Sequence, residues 1–113
     1  MPFPSLRLTF AACCFKIDTA VRYGLPLLAV VGNDARWNAE YQIQQRDYGR
    51  DRLLGCELLP ARYDQVTSAF GGHGEYVTTT EALRPAAERA LASGKPSCMN
   101  VMIEGLAAPN IRR

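Results

Sequence analysis

An uninterrupted apolar run at residues 27–31 ends abruptly in the polar residues Gly32, Asn33 and Asp34. A short continuous apolar run is typical of a parallel strand that is buried on both faces. Polar residues that follow such a strand lie at the carboxyl edge of the sheet, which is where open α/β sheets bind ligands. The pattern therefore predicts a strand that brings these three residues to a ligand-binding edge.

Apolar residues recur at helical spacing in three other stretches, residues 15–23, 62–70 and 83–91, and this spacing predicts three helices. Residues 38–48 are polar and helix-tolerant in composition, with Tyr41 and Ile43 as the only sizeable apolar residues, and predict a further helix between the first two of these that faces solvent or a partner. The predicted apolar faces of the three others consist of Ile17, Ala20 and Val21, of Tyr63, Val66 and Phe70, and of Leu83, Ala86, Ala87, Ala90 and Leu91.

Two later segments predict further strands, and the segment between the second and third helices predicts an irregular connection. Residues 75–77 are expected to form a short strand. Residues 97–104 alternate, so that Cys98 and Met99 face opposite sides of a strand. Residues 49–61 carry two leucine pairs, and Gly55 and Pro60 interrupt regular structure there, so we expect an irregular connection whose leucines are buried.

Helices and strands alternate along the chain, which is typical of an α/β protein. We therefore expect a three-layer α/β/α domain with a mainly parallel sheet. Thr78 followed three residues later by Glu81 is a capping-box pattern, which predicts that the fourth helix begins there. His73 lies between two glycines, and we expect it in a loop rather than at a catalytic centre.

Composition limits the chain to one small domain and argues against two classes of partner. Its 113 residues, 48% of them hydrophobic, suffice for one modest core. The formal charge of +2 is small, and Arg46 and Arg50 alternate with Asp47 and Asp51, so we expect no nucleic-acid surface. Because no run approaches the roughly 20 apolar residues of a membrane span, we expect no membrane contact. Residues 1–15 lack a cleavage pattern, so we expect no signal peptide.

The four cysteines, Cys13, Cys14, Cys56 and Cys98, show no paired metal-ligand spacing, and His73 is the only histidine in the sequence. Metal-thiolate sites and disulfide frameworks are therefore disfavoured. The dispersed spacing favours reduced thiols in a cytoplasmic protein, with Cys98 acting as a small buried hydrophobic residue.

Several stretches of the chain, taken in order, resemble one family. Residues 18–26 followed by residues 30–34 resemble the C-terminal, cofactor-binding domain of thiamine-diphosphate-dependent enzymes. The resemblance is to the acetolactate synthase, benzoylformate decarboxylase and oxalyl-CoA decarboxylase group. Residues 69–77 and 90–96 resemble the end of the same domain, and the similarity covers residues 17–109. The resemblance implies the thiamine diphosphate-binding fold, in an incomplete form, with thiamine diphosphate (TPP) and Mg²⁺ as cofactors.

The resemblance also implies roles for the turn after the first strand. In this family the cofactor's diphosphate is held through Mg²⁺ by an Asp, an Asn and a backbone carbonyl two residues beyond the Asn. By resemblance, Asn33 and the carbonyl of Ala35 are the metal ligands, and Gly32 replaces the first residue of the family's Asn-Asn pair. Both are oxygen ligands, which Mg²⁺ prefers. Asp34 and Trp37 are further cofactor-binding candidates beside a helix N-terminus, and the resemblance implies no catalytic residue in this chain.

The sequence departs from the family near its N-terminus. Ungapped alignment places residues 6–8, Leu-Arg-Leu, where the family has Gly-Asp-Gly. Since Arg7 cannot ligate Mg²⁺ and leucine prevents close backbone approach, cofactor binding is expected to be weakened or lost. The expected organisation is a divergent segment at 1–16, a TPP-binding domain at 17–109 and a tail at 110–113. One hypothesis is that the divergent segment was encoded out of frame or from a misplaced start.

Three functions stay open at this level. The first is a TPP-binding domain of an acetolactate synthase-like carboligase or decarboxylase acting on 2-oxo acids, which needs a partner with the activating N-terminal domain. The second is an inert truncated remnant, whose exposed sheet edge would favour a homo-oligomer. The third is an unrelated small α/β binding module, in which Gly32, Asn33 and Asp34 form an ordinary turn.

Overall fold

The structure, a computed structural model, describes residues 10–107, with side chains from residue 16 onward. The segment around Arg7 therefore lies outside the described residues. The described residues form two compact units, one of residues 10–32 and 62–102 and the other of residues 33–61 and 103–107. The helices and strands are α1 (Phe10–Arg22), β1 (Leu28–Asn33), α2 (Asn38–Tyr48), α3 (Tyr63–Ala69), β2 (His73–Val77), α4 (Leu83–Ala92) and β3 (Ser97–Met102), with short 3-10 helices at Arg50–Arg52 and Thr80–Ala82.

The sheet of the first unit has the strand order β1-β3-β2, so the last strand in sequence lies in the centre. Strands β2 and β3 are parallel, with His73 opposite Ser97 and Val77 opposite Val101. On the other side, the Ser97 amide donates to the Leu27 carbonyl at 2.8 Å. Parallel neighbours require a crossover connection, and helices supply it here. The predicted α/β class and parallel sheet are confirmed.

Strand β3 separates two hydrophobic clusters, because adjacent residues of a strand point to opposite faces. Cys98 is buried in a cluster with Ile17, and Met99 is buried in a second cluster with Val77 and Ala86. The predicted alternation of this strand is therefore confirmed. Burial also raises the pKa of the Cys98 thiol to about 11, which keeps it protonated at neutral pH. The partly buried residues that complete the two clusters are Val21, Leu27, Ala29, Val31, Tyr63 and Phe70 for the first, and Leu28, Ala82, Leu83, Ala87 and Val101 for the second.

The prediction for the face of α3 was wrong in one position. Val66 was expected in the core, yet it is 39% exposed, whereas Asp64 and Thr67 are buried. Asp64 can be buried because Arg62 and the buried Asn100 satisfy its carboxylate. The Thr67 hydroxyl donates to the Tyr63 carbonyl at 3.1 Å. Polar residues with partners thus occupy positions that an apolar periodicity assigns to hydrophobic side chains.

The predicted start of the fourth helix also needs correction. A short 3-10 helix at Thr80–Ala82 precedes α4, which begins at Leu83. Neither helix start has a side-chain capping hydrogen bond, so the expected capping box between Thr78 and Glu81 does not form. The 3-10 helix is followed directly by α4, and a 3-10 turn is common at the N-terminus of an α-helix.

The second unit contains α2, whose bounds match the prediction, and a connection that is more ordered than expected. Tyr41 is the buried residue of α2, and the Arg36 guanidinium lies 4.3 Å from the centre of its ring. Residues 49–61 include a 3-10 helix and an antiparallel bridge between Arg36 and Glu57. The leucines of this segment were expected to be buried, but Leu54 is 83% and Leu59 is 86% exposed.

Within residues 10–107, none of the helices combines the length and the hydropathy that a bilayer crossing requires.

Candidate functional site

The turn that follows β1 is organised by the side chain of Asn33. This residue is 5% exposed, and both ends of its amide are hydrogen-bonded within the second unit. Its Nδ2 donates to the Ala61 carbonyl at 3.0 Å, and its Oδ1 accepts from the Ala35 amide at 3.1 Å. The first bond joins residues that are 28 positions apart, so Asn33 ties the strand end to the end of the long connection.

The next residues of the turn have an unusual backbone. Ala35 has a φ of 54°, a left-handed conformation that non-glycine residues seldom adopt. The Asp34 carboxylate accepts from the Arg36 amide at 3.1 Å, and the Asn33 side chain accepts from the Ala35 amide. Two consecutive side chains thus each bind the amide two residues ahead, and Asn and Asp favour this kind of turn. The sharp reversal of the chain is held by these bonds.

A second segment of the connection pairs with the outgoing side of the turn. The Leu58 amide donates to the Ala35 carbonyl at 2.7 Å, and the Trp37 amide donates to the Cys56 carbonyl at 2.8 Å. The bridge between Arg36 and Glu57 lies between these two bonds. The backbone of residues 56–58 is therefore hydrogen-bonded to the turn on both sides of Arg36. Periodicity gave no signal for this pairing, because residues 49–61 predict only an irregular connection.

Helix α2 begins directly after the turn. Trp37 occupies the residue before the first turn of the helix, makes no side-chain capping hydrogen bond, and is 47% exposed. The first helical residue, Asn38, uses its Nδ2 to bind the Leu106 carbonyl at 2.6 Å. The amide groups at a helix N-terminus carry partial positive charge, which favours an anion nearby.

The structure brings four of the predicted site residues together. Asn33, Asp34, Ala35 and Trp37 lie together in the turn of the second unit, and Gly32 directly precedes it on β1. Arg7, the predicted replacement for a metal ligand, lies outside the described residues.

His73 was expected in a loop, but it is the first residue of β2 in the first unit. Its Nε2 lies 2.8 Å from the Glu75 carboxylate. The two residues are two positions apart on the same strand, so their side chains lie on the same face of the sheet.

The turn presents oxygen atoms of the kind that Mg²⁺ requires, but no cluster of charged ligands. Among residues 10–107, no group of three or more His, Cys, Asp or Glu side chains is placed to hold a metal ion. The turn instead presents the amide oxygen of Asn33 and the carbonyl of Ala35, which are oxygen ligands of the kind that Mg²⁺ prefers. Each of these oxygens accepts a hydrogen bond, and an sp² oxygen of this kind has two lone pairs. The residues present therefore fit part of a Mg²⁺ coordination shell.

The first unit has a separate electrostatic cluster at Glu75. Its carboxylate accepts two bonds from the Arg89 guanidinium, at 2.9 and 2.8 Å, besides its contact with His73. The hydrogen bonds from Arg89 are the largest cause that lowers the pKa of Glu75, to about 2, against the opposing effect of burial. This ion pair joins β2 to α4, so its charge state contributes to the packing of the helix on the sheet.

The lowered pKa of Glu75 leads to a pH prediction. A carboxyl group whose pKa is lower in the folded state stabilises the fold above its unfolded pKa and loses that effect as pH falls toward the folded value. We expect the free energy of unfolding to decline between pH 4.5, the ordinary value, and about 2. Urea titrations of the wild type and of Glu75→Gln at several pH values measure this. The variant should lose part of the decline, and identical slopes for the two proteins would contradict the prediction.

Comparison with known proteins supplies an independent observation. A family model described as thiamine pyrophosphate enzyme, C-terminal TPP binding domain, matches residues 9–101. The chain is 43% identical over 88 residues to the acetolactate synthase large subunit IlvG of Mycobacterium tuberculosis. It is 35% identical over 100 residues to human 2-hydroxyacyl-CoA lyase 1 and 37% identical over 91 residues to oxalyl-CoA decarboxylase of Escherichia coli K12.

These alignments differ greatly in how much of each chain they cover. They include 77% of this chain for the first relative and 79% for the other two. They span only 16 to 17% of the length of those relatives. The matched region therefore corresponds to one part of much longer proteins.

Proposed function

Because the chain belongs to the C-terminal TPP-binding domain family of thiamine pyrophosphate enzymes, we propose that the turn at residues 32–37 binds the diphosphate of TPP through Mg²⁺. The observation that carries the proposal is the geometry of Asn33, a buried amide whose nitrogen is fixed by the Ala61 carbonyl. This bond sets the orientation of the amide. Its oxygen faces the turn, where it accepts from the Ala35 amide, and it is an oxygen ligand of the kind that Mg²⁺ prefers.

The other residues of the turn have complementary roles in this proposal. Ala35 would supply its carbonyl oxygen to Mg²⁺, and the first amides of α2 would face the phosphate oxygens. Asp34 shapes the turn by accepting from the Arg36 amide, and Trp37 offers an exposed ring at the start of the helix. Gly32 leaves the approach to the turn free of a side chain. TPP, when bound, supplies the stabilised carbanion on which enzymes of this kind depend.

The activity of the whole protein is a further part of the proposal. The relatives are named acetolactate synthase, 2-hydroxyacyl-CoA lyase and oxalyl-CoA decarboxylase, and this chain spans about a sixth of their length. We propose that it acts in carboligation or decarboxylation of 2-oxo acids only together with an N-terminal TPP-enzyme domain. A second copy of the chain is the other partner to be tested. The family match removes the unrelated binding module from consideration, whereas an inert remnant stays as the competing outcome.

Calorimetric titration of the chain with TPP tests the cofactor site. Binding is expected in the presence of Mg²⁺ and not in the presence of EDTA, because the metal joins the diphosphate to the protein oxygens. Asn33→Ala should weaken Mg²⁺-dependent binding by at least about tenfold, since it removes the side-chain ligand and one hydrogen bond to the Ala61 carbonyl. Loss of the buried hydrogen bonds should also lower the free energy of unfolding by about 1–3 kcal/mol, so the titration is performed well below the melting temperature.

The matched control is Gln65→Ala, which changes an exposed amide on α3. It should leave both affinity and stability unchanged. Failure of the wild type to bind TPP with Mg²⁺ would overturn the proposal and support the inert remnant. Equal affinities of the wild type and Asn33→Ala would exclude Asn33 as a ligand.

A further inference from the structure

Gln44, on α2, pairs with the backbone of a single residue in the connection. The Leu54 amide donates to Gln44 Oε1 at 2.7 Å, and Gln44 Nε2 donates to the Leu54 carbonyl at 3.1 Å. The thiol of the buried Cys56 lies 3.8 Å from the same oxygen. The Gln44 side-chain amide thus binds both backbone groups of Leu54, as the backbone of a neighbouring strand would. It attaches residues 54–56 to the helix.

The attached segment continues directly into the groups that hold the turn. Cys56 provides the carbonyl that accepts from the Trp37 amide, and Leu58 provides the amide that donates to the Ala35 carbonyl. Glu57 forms the bridge to Arg36 between them. A side chain on α2 is therefore linked to the turn through one continuous stretch of backbone, in which Cys56 and Leu58 each make a hydrogen bond to the turn.

Ala35 is the part of the turn that most needs such support. Its left-handed backbone is unfavourable for alanine and persists only where surrounding contacts maintain it. The bond from the Leu58 amide is the contact made to its carbonyl, which is the oxygen assigned to Mg²⁺ under the proposed function. If residues 54–58 move away from α2, this carbonyl loses the donor that fixes its direction.

We propose that Gln44 is a positioning residue for the diphosphate site: by clamping Leu54, it holds the backbone that aims the Ala35 carbonyl. The ligand-directed part of this inference rests on the proposed function. Gln44 would not touch the cofactor or the metal itself. Its bonds to Leu54 are exposed to solvent, so their removal should loosen the connection without unfolding the chain.

The full chain offers a matched pair of variants for the test. Gln44→Met keeps the length of the side chain and removes both bonds to Leu54, while Gln45→Met makes the same change at the next residue of α2, whose side chain has no hydrogen bond in the structure. Hydrogen exchange is read at the Trp37 and Leu58 amides. In Gln44→Met both amides should exchange about tenfold faster, because local opening becomes easier. In Gln45→Met their exchange rates should stay unchanged.

Two internal readings separate local loosening from general destabilisation. The His73 amide, which donates to the Pro96 carbonyl in the first unit, should keep its exchange rate in both variants. Trp37 is the only tryptophan, so its fluorescence reports on the turn alone, and its emission should change in Gln44→Met only. Unchanged exchange at Trp37 and Leu58 in Gln44→Met would overturn the proposal, as would an equal rise at His73.

The cofactor is then added to the same variants. The Mg²⁺ concentration at half-saturation of TPP binding should rise about tenfold in Gln44→Met and stay unchanged in Gln45→Met. Gln44→Glu keeps the acceptor for the Leu54 amide but loses the donor to its carbonyl, so an intermediate value is expected. Faster exchange with an unchanged Mg²⁺ requirement would overturn the link to the ligand. If the wild type binds no TPP, the proposed function fails, while the exchange result alone still decides whether Gln44 holds the turn.

Discussion

Gly74→Ala is expected to destabilise the first unit by about 3 kcal/mol or more, an effect comparable to severe overpacking of a core. A Cβ atom at this position would collide with the backbone carbonyl of Asp64, and it would lie 2.8 Å from the Ser68 hydroxyl. A backbone carbonyl within a helix cannot rotate away as a flexible side chain can. Strand β2 would have to separate from α3, which packs directly on it.

Thermal unfolding followed by circular dichroism measures this change. Gly94→Ala is the control, since its Cβ would meet nothing within 4 Å, although its φ of +64° makes alanine unfavourable there. It should cost about 1 kcal/mol, the price of a left-handed alanine. Similar melting temperatures for Gly74→Ala and the wild type would show that the contact between β2 and α3 can widen.

Asp64→Ala is expected to lower the free energy of unfolding by about 2–4 kcal/mol. Asp64 is buried and accepts from Arg62 at 3.0 and 2.8 Å and from the buried Asn100 at 3.2 Å. The hydrogen bonds from Arg62 are the largest cause that lowers the pKa of Asp64, against the opposing effect of burial. Removing the carboxylate takes an acceptor away from the buried Asn100 amide and from the Arg62 guanidinium, which costs more than the network contributes. The expected value is reduced because the Arg62 side chain is partly exposed.

Urea unfolding of Asp64→Ala and Asp47→Ala provides the comparison. Asp47 pairs with Arg46 at 2.7 Å, but this pair lies at the surface, so its removal should have no measurable effect on stability. Asp64→Asn should fall between the wild type and Asp64→Ala, since its amide oxygen can still accept one of the three bonds. Equal effects at positions 64 and 47 would show that the buried network adds nothing beyond an exposed ion pair.

The Asp64 network also shows where sequence patterns mislead. Helical spacing assigned Val66 to the core of α3, but the helix presents Asp64 and Thr67 to it instead. The partner of Asp64 is Asn100, which is 36 residues later on the central strand. Only the fold brings this partner close enough to satisfy a buried carboxylate, and a local apolar pattern carries no information about it.

Other features were local enough to be predicted. The bounds of α2 agree with the change in composition at residues 38–48, and the alternation of β3 and the burial of Ile17 and Ala20 follow from periodicity, because each depends on residues within one element. The positive φ of Gly24 agrees with the end of the helix predicted at residues 15–23. The family resemblance was likewise carried by short stretches in a fixed order.

The sequence by itself determined the α/β class, the parallel sheet, the family and the turn at Gly32, Asn33 and Asp34 as the place to look for chemistry. These depend on periodicity and on motifs that are contiguous in the chain. The tertiary structure alone decided which groups hold that turn. Asn33, Ala35 and Trp37 each form a hydrogen bond with a backbone atom of residues 56–61. Backbone hydrogen bonds between distant segments do not depend on side-chain type, so no pattern of residues in the sequence predicts them.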